Sequence, residues 1–195
     1  YYPIEEDERG SYIMNSRDLC MLDKLPDLID AGIYSLKIEG RMKSPFYVAT
    51  VVSAYRAALD SYLENPDNYE FQKKWFTELC KASHREFYHG FYYSKPDSSG
   101  QNYSSSDYTR EYSFIGVVRG FEADTGLTIV EQRNKFCVGD DIEVFGPHTE
   151  YSDEIVREMY DADNNPIDSA PHPQQIIKVK LSKTYPADFI LRKKK

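Results

Sequence analysis

The sequence predicts an α+β protein that combines the end of a parallel β/α barrel, a helical connector and a small antiparallel β-barrel. Three observations support this fold class. Residues 15–66 alternate helix-forming and strand-forming segments in the order typical of β/α units. Short β-like runs separated by turn residues fill the chain after about residue 112. A polar, serine-rich loop at Pro96–Asp107 separates the two textures, so we predict domains at 1–66, 67–111 and 112–195.

The first predicted element is a short helix. Its apolar positions recur at helical spacing and are Leu22, Leu25, Leu28 and Ile29. Ser16 or Asp18 could cap it, and Pro26 fits a first turn. Gly32 readily adopts the left-handed conformation that ends helices, so we expect the helix to stop there.

A short strand and a long helix follow. Ile33–Ile38 is predicted to be a strand that stops at the charged loop Glu39-Gly40-Arg41. Ser44 is expected to cap the next helix, with Pro45 at its first position, and Asn65-Pro66 is expected to end it. Its apolar stripe is predicted to consist of Tyr47, Val48, Val51, Val52, Tyr55, Ala58, Leu59 and Tyr62. One strand and two helices cannot close a barrel, so the segment is interpreted as the last unit of a larger one.

The remaining elements are one helix and a series of strands. The helix is predicted at Phe71–Ser83, with Trp75, Phe76 and Leu79 on its buried side. The strands are expected at Phe114–Val118, Leu127–Gln132, Asp141–Phe145, Ile155–Tyr160, Ile176–Leu181 and Phe189–Arg192. Six short strands in about eighty residues favour a small antiparallel barrel.

Composition argues against a membrane-spanning protein and against a disulfide-rich secreted protein. The 195 residues contain no apolar run near the roughly 20 residues that span a bilayer, and Tyr1–Gly10 does not resemble a signal peptide. The chain does not begin with Met, which suggests a fragment or a processed chain. Three widely spaced cysteines do not form a disulfide framework, which favours a reducing cytoplasm.

The distribution of charge bears on nucleic-acid binding. A net charge of −8 argues against a strong, charge-driven grip on nucleic acid by this chain alone. Ile176–Lys195 is nevertheless rich in lysine and could present a local basic edge. We favour a solvated, frayed end for the terminal lysine triplet.

Several segments resemble a known family. Asn15–Ser44, which begins NSRDLC and ends IEGRMKS, is similar to the end of the catalytic-type domain of peptidase family U-32 (the collagenase-like proteases). Further similar segments are SHREFYHGFY, VEQRNKF, VGDDIEVFGP and APHPQQI. Within the family, the resemblance is to the group associated with tRNA uridine hydroxylation. It implies a TIM-like barrel followed by a translation-factor-like β-barrel.

The resemblance also implies an activity and partners. The expected reaction is oxygen-independent hydroxylation of a wobble uridine in tRNA, with prephenate as a required metabolite. The expected macromolecular partners are tRNA and a second subunit, either a further copy or a paralogue. No membrane partner is expected.

The resemblance implies that Cys20 is a ligand of a cofactor. Relatives hold an iron–sulfur cluster through four cysteines, and Cys20 in Asn15–Cys20 corresponds to the fourth of these ligands. Thiolates suit iron, and backbone N–H groups near a helix start are expected to lower the pKa of such a cysteine. A single thiolate cannot hold a cluster, so none is expected in this chain alone. The alternative for Cys20 is a small buried hydrophobic residue.

A second candidate site follows the predicted strand Ile33–Ile38. Lys37, Glu39 and Arg41 would lie on one side of an extended chain, at the barrel face where catalytic loops converge. Glu39 and Arg41 are candidate catalytic residues, and Lys37 and Lys43 are candidate substrate-binding residues, since cations recognise carboxylates and phosphates. The alternative is a structural ion pair between Glu39 and Arg41.

The sequence leaves two other functions open. A peptidase would need catalytic residues outside the chain, because no nucleophile–base or metalloprotease motif is present. A third hypothesis is that residues 112–195 form a stand-alone module that binds tRNA or a protein.

Overall fold

The computed structural model describes residues 4–8, 10–13, 15–95, 97–103, 107–147 and 151–195. The chain divides into two compact units. The first contains Tyr1–Lys43 and Thr50–Arg110, and the second contains Ser44–Ala49 and Glu111–Lys195.

The first unit is mostly helical and irregular. In the described residues its strands are β1 (Ile4–Asp7), β2 (Gly10–Ile13), β3 (Asp18–Leu19) and β4 (Phe87–Tyr88). Its helices are α1 (Leu25–Asp30), most of α2 (Pro45–Glu64) and α3 (Lys73–Leu79). Short 3-10 turns are found at Leu22–Lys24, Pro66–Asn68 and Ser98–Gly100.

The end of α1 confirms the predicted glycine cap. Gly32 has a φ of 81°. Its N–H donates to the carbonyl of Ile29 at 2.8 Å, and the N–H of Ile33 donates to the carbonyl of Leu28 at 3.1 Å. This pair of bonds satisfies carbonyl groups that a helix end otherwise leaves without partners.

The start of α2 is also as predicted. The Ser44 Oγ accepts the backbone N–H of Tyr47 at 3.2 Å, which is the geometry of a side-chain cap. Within the first unit the helix buries Val51, Ala54 and Ala58. Val48 and Val52, which we predicted on the apolar stripe, are 38% and 44% exposed. The predicted helix at Phe71–Ser83 is shorter, as α3, and buries Trp75 and Leu79.

The predicted strand Ile33–Ile38 is wrong. Residues 33–40 have no regular secondary structure. Ile33 is 40% exposed and the Tyr34 side chain is fully exposed. An extended segment becomes a strand only when a neighbour satisfies its backbone groups, and no described residue pairs with it. Parallel pairing in the described part of the chain is confined to β3 and β4, so the TIM-like barrel remnant stays a prediction.

The second unit is built on an antiparallel sheet, as predicted. Its strands are β5 (Tyr112–Glu122), β6 (Leu127–Gln132), β7 (Phe136–Cys137), β8 (Asp141–Phe145), β9 (Ser152–Ile155), β10 (Glu158–Tyr160), β11 (Ser169–Ala170), β12 (Ile176–Lys180) and β13 (Ile190–Lys194). Seven of them form one sheet in the order β10-β12-β6-β5-β13-β8-β9. β7 and β11 form a separate antiparallel pair.

The sheet curls around a hydrophobic core. Side chains near both ends of the strand order contribute to this core, including Met159 of β10, Ile177 of β12 and Ile142 of β8. The strand order has two ends among the described residues, so the sheet forms a half-barrel. All six predicted strand segments lie in this sheet, but Ile155–Tyr160 is divided between β9 and β10.

The terminal lysine triplet continues an interior strand, so the expectation of a frayed end is wrong, although the Lys194 and Lys195 side chains are exposed as expected. β13 lies between β5 and β8. Arg192 is fully buried, and its Nη2 lies 2.6 Å from the Glu143 Oε2. Lys193 Nζ lies 2.6 Å from the Asp140 Oδ2. Glu143 and Asp140 therefore neutralise the charges of Arg192 and Lys193, and of these two only Lys193 belongs to the triplet expected at a solvated end.

No helix in the described ranges has both the length and the apolar character to cross a membrane.

Candidate functional site

Cys20 lies at the junction between β3 and the turn that begins α1. The parallel pairing of β3 with β4 brings its N–H to the carbonyl of Tyr88 at 2.9 Å. The side chain is only 4% exposed. Tyr55 lies on α2. Its hydroxyl donates to the Cys20 Sγ at 3.7 Å and accepts the Met21 N–H at 2.9 Å. The thiol is therefore held in a closed pocket with one polar side chain against it.

This environment opposes ionisation of the free thiol. Burial raises the pKa of Cys20, and the charge of Asp23 raises it further. The backbone N–H of Leu22 and the Tyr55 hydroxyl lower it by less. The predicted N–H effect is thus present, but the predicted net decrease in the pKa is wrong because desolvation is larger. A protonated, buried thiol is a poor nucleophile for peptide cleavage.

Arg85 fixes the segment that precedes Cys20. Its backbone N–H donates to the Asp18 Oδ2 at 3.0 Å, and its Nη1 donates to the Asn15 Oδ1 at 3.2 Å and the Ser16 carbonyl at 2.9 Å. Arg17 forms an ion pair with Glu86 at 3.0 Å. Neither Arg85 nor Tyr55 is among the site residues that the sequence predicts. The only signal was that Arg85 lies in SHREFYHGFY, one of the recognised segments.

An aromatic segment after β4 is attached by polar contacts to α1 and to the 3-10 turn that precedes it. The His89 Nε2 lies 3.0 Å from the Asp23 Oδ1, and the Tyr93 hydroxyl donates to the Asp27 carboxylate. The bond to Asp27 raises the pKa of Tyr93 to about 12, so its hydroxyl stays a donor at neutral pH. Both contacts order this segment beside the backbone of Cys20.

The second set of predicted site residues lies on the irregular segment 33–43. Lys37, Glu39 and Arg41 are exposed. The Glu39 Oε1 accepts the backbone N–H of Arg41 at 3.0 Å. In the described part of the chain, no ion pair joins the Glu39 and Arg41 side chains, and neither contacts Cys20 by a hydrogen bond. Lys43 is half-buried, and its Nζ lies 4.1 Å from the centre of the Tyr108 ring. The roles assigned to these residues stay predictions.

The described residues do not form a metal site by themselves. No group of three or more His, Cys, Asp or Glu side chains among them could hold a metal ion. Cys80 and Cys137 are the other free thiols, and Cys137 belongs to the other unit. Cys20 can therefore supply one ligand, and an iron–sulfur cluster would need further thiolates from outside these residues.

Comparison with known proteins gives two family matches. Residues 1–102 match the profile of Peptidase family U32, and residues 110–192 match the Peptidase family U32 C-terminal domain.

The chain is similar to proteins named as tRNA hydroxylation proteins and to proteins named as collagenases. tRNA hydroxylation protein P1 of Bacillus subtilis is 40% identical over 189 residues, covering 96% of this chain and 45% of that protein. tRNA hydroxylation protein P of Escherichia coli is 36% identical over 151 residues, covering 75% of this chain and 32% of that protein. A Collagenase of Porphyromonas gingivalis is 28% identical over 193 residues, covering 97% of this chain and 52% of that protein. The chain thus spans about half, or less, of each of these relatives.

Among solved structures, the C-terminal domain of a Geobacillus thermoleovorans putative U32 peptidase is similar. It is 38% identical with a TM-score of 0.40, and the match covers 42% of this chain and 92% of that domain.

Proposed function

The chain belongs to peptidase family U32, and from that premise we propose that it is the C-terminal part of a cytoplasmic protein that hydroxylates a wobble uridine in tRNA. The observation that carries this proposal is the 40% identity to a tRNA hydroxylation protein over 96% of the chain. The identity to the Collagenase, over a similar span, is 28%.

Cys20 is proposed as one thiolate ligand of an iron–sulfur cluster in the whole protein. When bound, such a cluster supplies one-electron redox chemistry. The residues described here would keep water from the Cys20 sulfur and orient it, since it is 4% exposed and contacts the Tyr55 hydroxyl. A bound cation reverses the preference for a protonated thiol, because it stabilises the thiolate directly.

The exposed segment 33–43 is proposed to contact the small-molecule reactant. Arg41 and Lys37 are exposed cations, and a guanidinium pairs well with a carboxylate such as those of prephenate. Glu39 fixes the loop backbone by accepting the Arg41 N–H. In this role, Glu39 and Arg41 would be the catalytic pair and Lys37 and Lys43 the binding residues.

Complementation tests the proposed reaction. Cells that lack the full-length protein and any paralogue would receive the wild type, Cys20→Ala or Cys137→Ala. We expect the wild type and Cys137→Ala to restore hydroxylated uridine in tRNA nucleosides measured by mass spectrometry, and Cys20→Ala to fail. Iron and acid-labile sulfide in the purified proteins should follow the same order. Full iron content and full hydroxylation in Cys20→Ala would refute the assignment of Cys20.

A peptidase is the second candidate, favoured by the similarity to the Collagenase and by the family name. It requires catalytic residues outside the described part of the chain. Full-length protein would be incubated with unfolded collagen in metal-free and metal-replete buffer. Cleavage that persists in the Cys20→Ala protein and is lost on mutation of a residue outside the chain would favour the peptidase.

The structure gives little support to the third hypothesis, a stand-alone RNA-binding module at 112–195. Its basic strands are neutralised by carboxylates: Lys178 Nζ lies 3.0 Å from the Glu122 Oε1, and Arg192 and Lys193 have acidic partners. A salt-dependent gel shift of tRNA by residues 112–195 alone would restore the hypothesis.

A further inference from the structure

The Tyr55 hydroxyl lies between a backbone amide and the Cys20 sulfur. It accepts the Met21 N–H at 2.9 Å, and its oxygen lies 3.7 Å from the Cys20 Sγ. A phenol hydroxyl has one proton to donate, whereas an amide N–H can only donate. The bond to Met21 therefore uses an acceptor position of the hydroxyl, and the hydroxyl proton remains available for the sulfur.

The direction of this second bond is fixed once the sulfur is a ligand. The free thiol has a proton of its own and is a weak hydrogen-bond acceptor. A metal-bound thiolate has lost this proton and carries negative charge, so a hydrogen bond between the two groups can only be donated by Tyr55. Hydrogen bonds to a charged acceptor are shorter and stronger than those between neutral groups. The contact of 3.7 Å should therefore shorten when Cys20 becomes a ligand.

Water is poorly placed to take over this bond. Cys20 is buried, so solvent has little access to its sulfur. The backbone N–H of Leu22 also forms a hydrogen bond to the sulfur. Of these two donors, the Tyr55 hydroxyl is the one that a substitution can remove without changing the main chain.

Hydrogen bonds to ligand sulfurs affect the redox chemistry of an iron–sulfur cluster. Reduction adds one electron, and part of the added negative charge lies on the ligand thiolates. A hydrogen bond to such a sulfur therefore stabilises the reduced form more than the oxidised form. A donor to the sulfur should make the reduction potential more positive.

We propose that Tyr55 raises the reduction potential of the cluster that Cys20 ligates in the whole protein, by donating a hydrogen bond to the Cys20 thiolate. The inference rests on the proposed function, because it takes Cys20 as a cluster ligand. Tyr55 acts as a positioning residue and not as a ligand, since its oxygen accepts the Met21 N–H and its proton stays on the hydroxyl. The same bond orients the sulfur, because the tyrosine ring is carried by the long helix α2.

Tyr62 provides a matched control on the same helix. It follows Tyr55 by two helical turns, so both side chains leave α2 on one side, and it is also largely buried. Its hydroxyl donates to the Asp30 Oδ1 at 2.8 Å. Tyr62→Phe therefore removes the same atom from the same residue type and leaves the contact with Cys20 in place.

The test uses the full-length protein, purified without oxygen, as wild type, Tyr55→Phe and Tyr62→Phe. Iron and acid-labile sulfide give the cluster content, and thermal unfolding shows whether each variant is folded. A redox titration followed by visible absorbance and electron paramagnetic resonance gives the reduction potential. A fourth protein carries a monofluorinated tyrosine at position 55, with the fluorine beside the hydroxyl. This phenol is a stronger donor of similar size that can still accept the Met21 N–H.

Tyr55→Phe should have a more negative potential than the wild type. We expect the equilibrium constant for reduction to fall about tenfold, which for a one-electron couple corresponds to about 59 mV. The fluorinated protein should have a more positive potential than the wild type, and Tyr62→Phe should match the wild type. If Tyr55 served only to hold the Met21 N–H, the fluorinated ring would leave the potential unchanged, because it keeps that bond.

Equal potentials in wild type and Tyr55→Phe, at equal cluster content, would overturn the inference and leave the proposed function intact. An equal shift in Tyr62→Phe would also overturn it. If Tyr55→Phe does not retain the cluster, the fluorinated protein decides, and an unchanged potential there refutes the inference. The proposed role of Cys20 fails separately: a wild-type protein without iron and sulfide would reject both.

Discussion

Replacing Glu154 with Gln should destabilise the second unit strongly at neutral pH and weakly in acid. Glu154 is buried, with 4% of its surface exposed. Its carboxylate accepts the Ser182 N–H at 2.8 Å, the Ser182 hydroxyl at 2.7 Å and the Tyr185 hydroxyl at 2.7 Å. Burial alone would raise the pKa of Glu154, but these bonds and one from the Lys183 backbone lower it below its usual range.

The magnitude follows from the bonds that the amide cannot replace. Hydrogen bonds to a charged group contribute about 1.5–3 kcal/mol each, and the glutamine NH2 group would face a donor. We therefore expect a loss of about 2–4 kcal/mol in the free energy of unfolding at neutral pH, near the range for breaking a buried charged contact.

The sign of the pH dependence is fixed by the lowered pKa. A carboxyl group with a lowered pKa in the folded state stabilises the fold above its unfolded pKa of about 4.3, and loses this effect as pH falls through the folded pKa. The difference between wild type and Glu154→Gln should be complete near neutral pH and should decrease below about pH 4.

Hydrogen exchange of sheet amides is the assay, because the single tryptophan, Trp75, lies in the other unit. Glu158→Gln is the matched control. Glu158 also accepts a tyrosine hydroxyl, that of Tyr160 at 2.8 Å, but it is exposed, so its loss should cost less than about 0.5 kcal/mol. Equal effects of the two substitutions, or an effect of Glu154→Gln that does not change with pH, would refute this reasoning.

Two further predictions concern packing and the Cys20 pocket. A Cβ at Gly116 would lie 2.6 Å from the Val130 Cγ1, so Gly116→Ala should lower the free energy of unfolding, measured by urea denaturation, by about 1–3 kcal/mol. The Cβ of Gly120→Ala would make only an ordinary contact at 3.8 Å, so this control should lose less. Tyr55→Phe leaves the buried Met21 N–H without its acceptor and should cost about 1–3 kcal/mol, measured by tryptophan fluorescence in the same unit. Unchanged stability in either variant would contradict the contact on which its prediction depends.

The sequence predicts well those features that depend on local chemistry. Ser44 caps its helix and Gly32 ends the one before it, because both effects act within a few residues. β6 occupies Leu127–Gln132 with the predicted bounds, since its apolar pattern lies between strong turn residues.

Features that depend on distant residues are not visible in the sequence. Ile33–Ile38 has the composition of a strand but lacks a described partner to satisfy its backbone. The end of β13 has the composition of a solvated tail, yet Asp140, about fifty residues earlier, pairs with Lys193. Neither outcome follows from the local composition of these segments.

The candidate site shows the same division. Cys20 is identified through the resemblance of its segment, but the pKa of its thiol is set by burial and by Tyr55, 35 residues away. Arg85 orders the segment before Cys20 across about 70 residues of sequence. Such contacts have no period or spacing that a single sequence displays.

Mass spectrometry of tRNA nucleosides tests the central claim most directly. The comparison is between wild-type cells and cells that lack the full-length protein together with any paralogue. We predict that hydroxylated wobble uridine is lost in the mutant cells and returns when the full-length wild-type protein is supplied. An unchanged level of hydroxylated uridine in the mutant cells would contradict the proposed function.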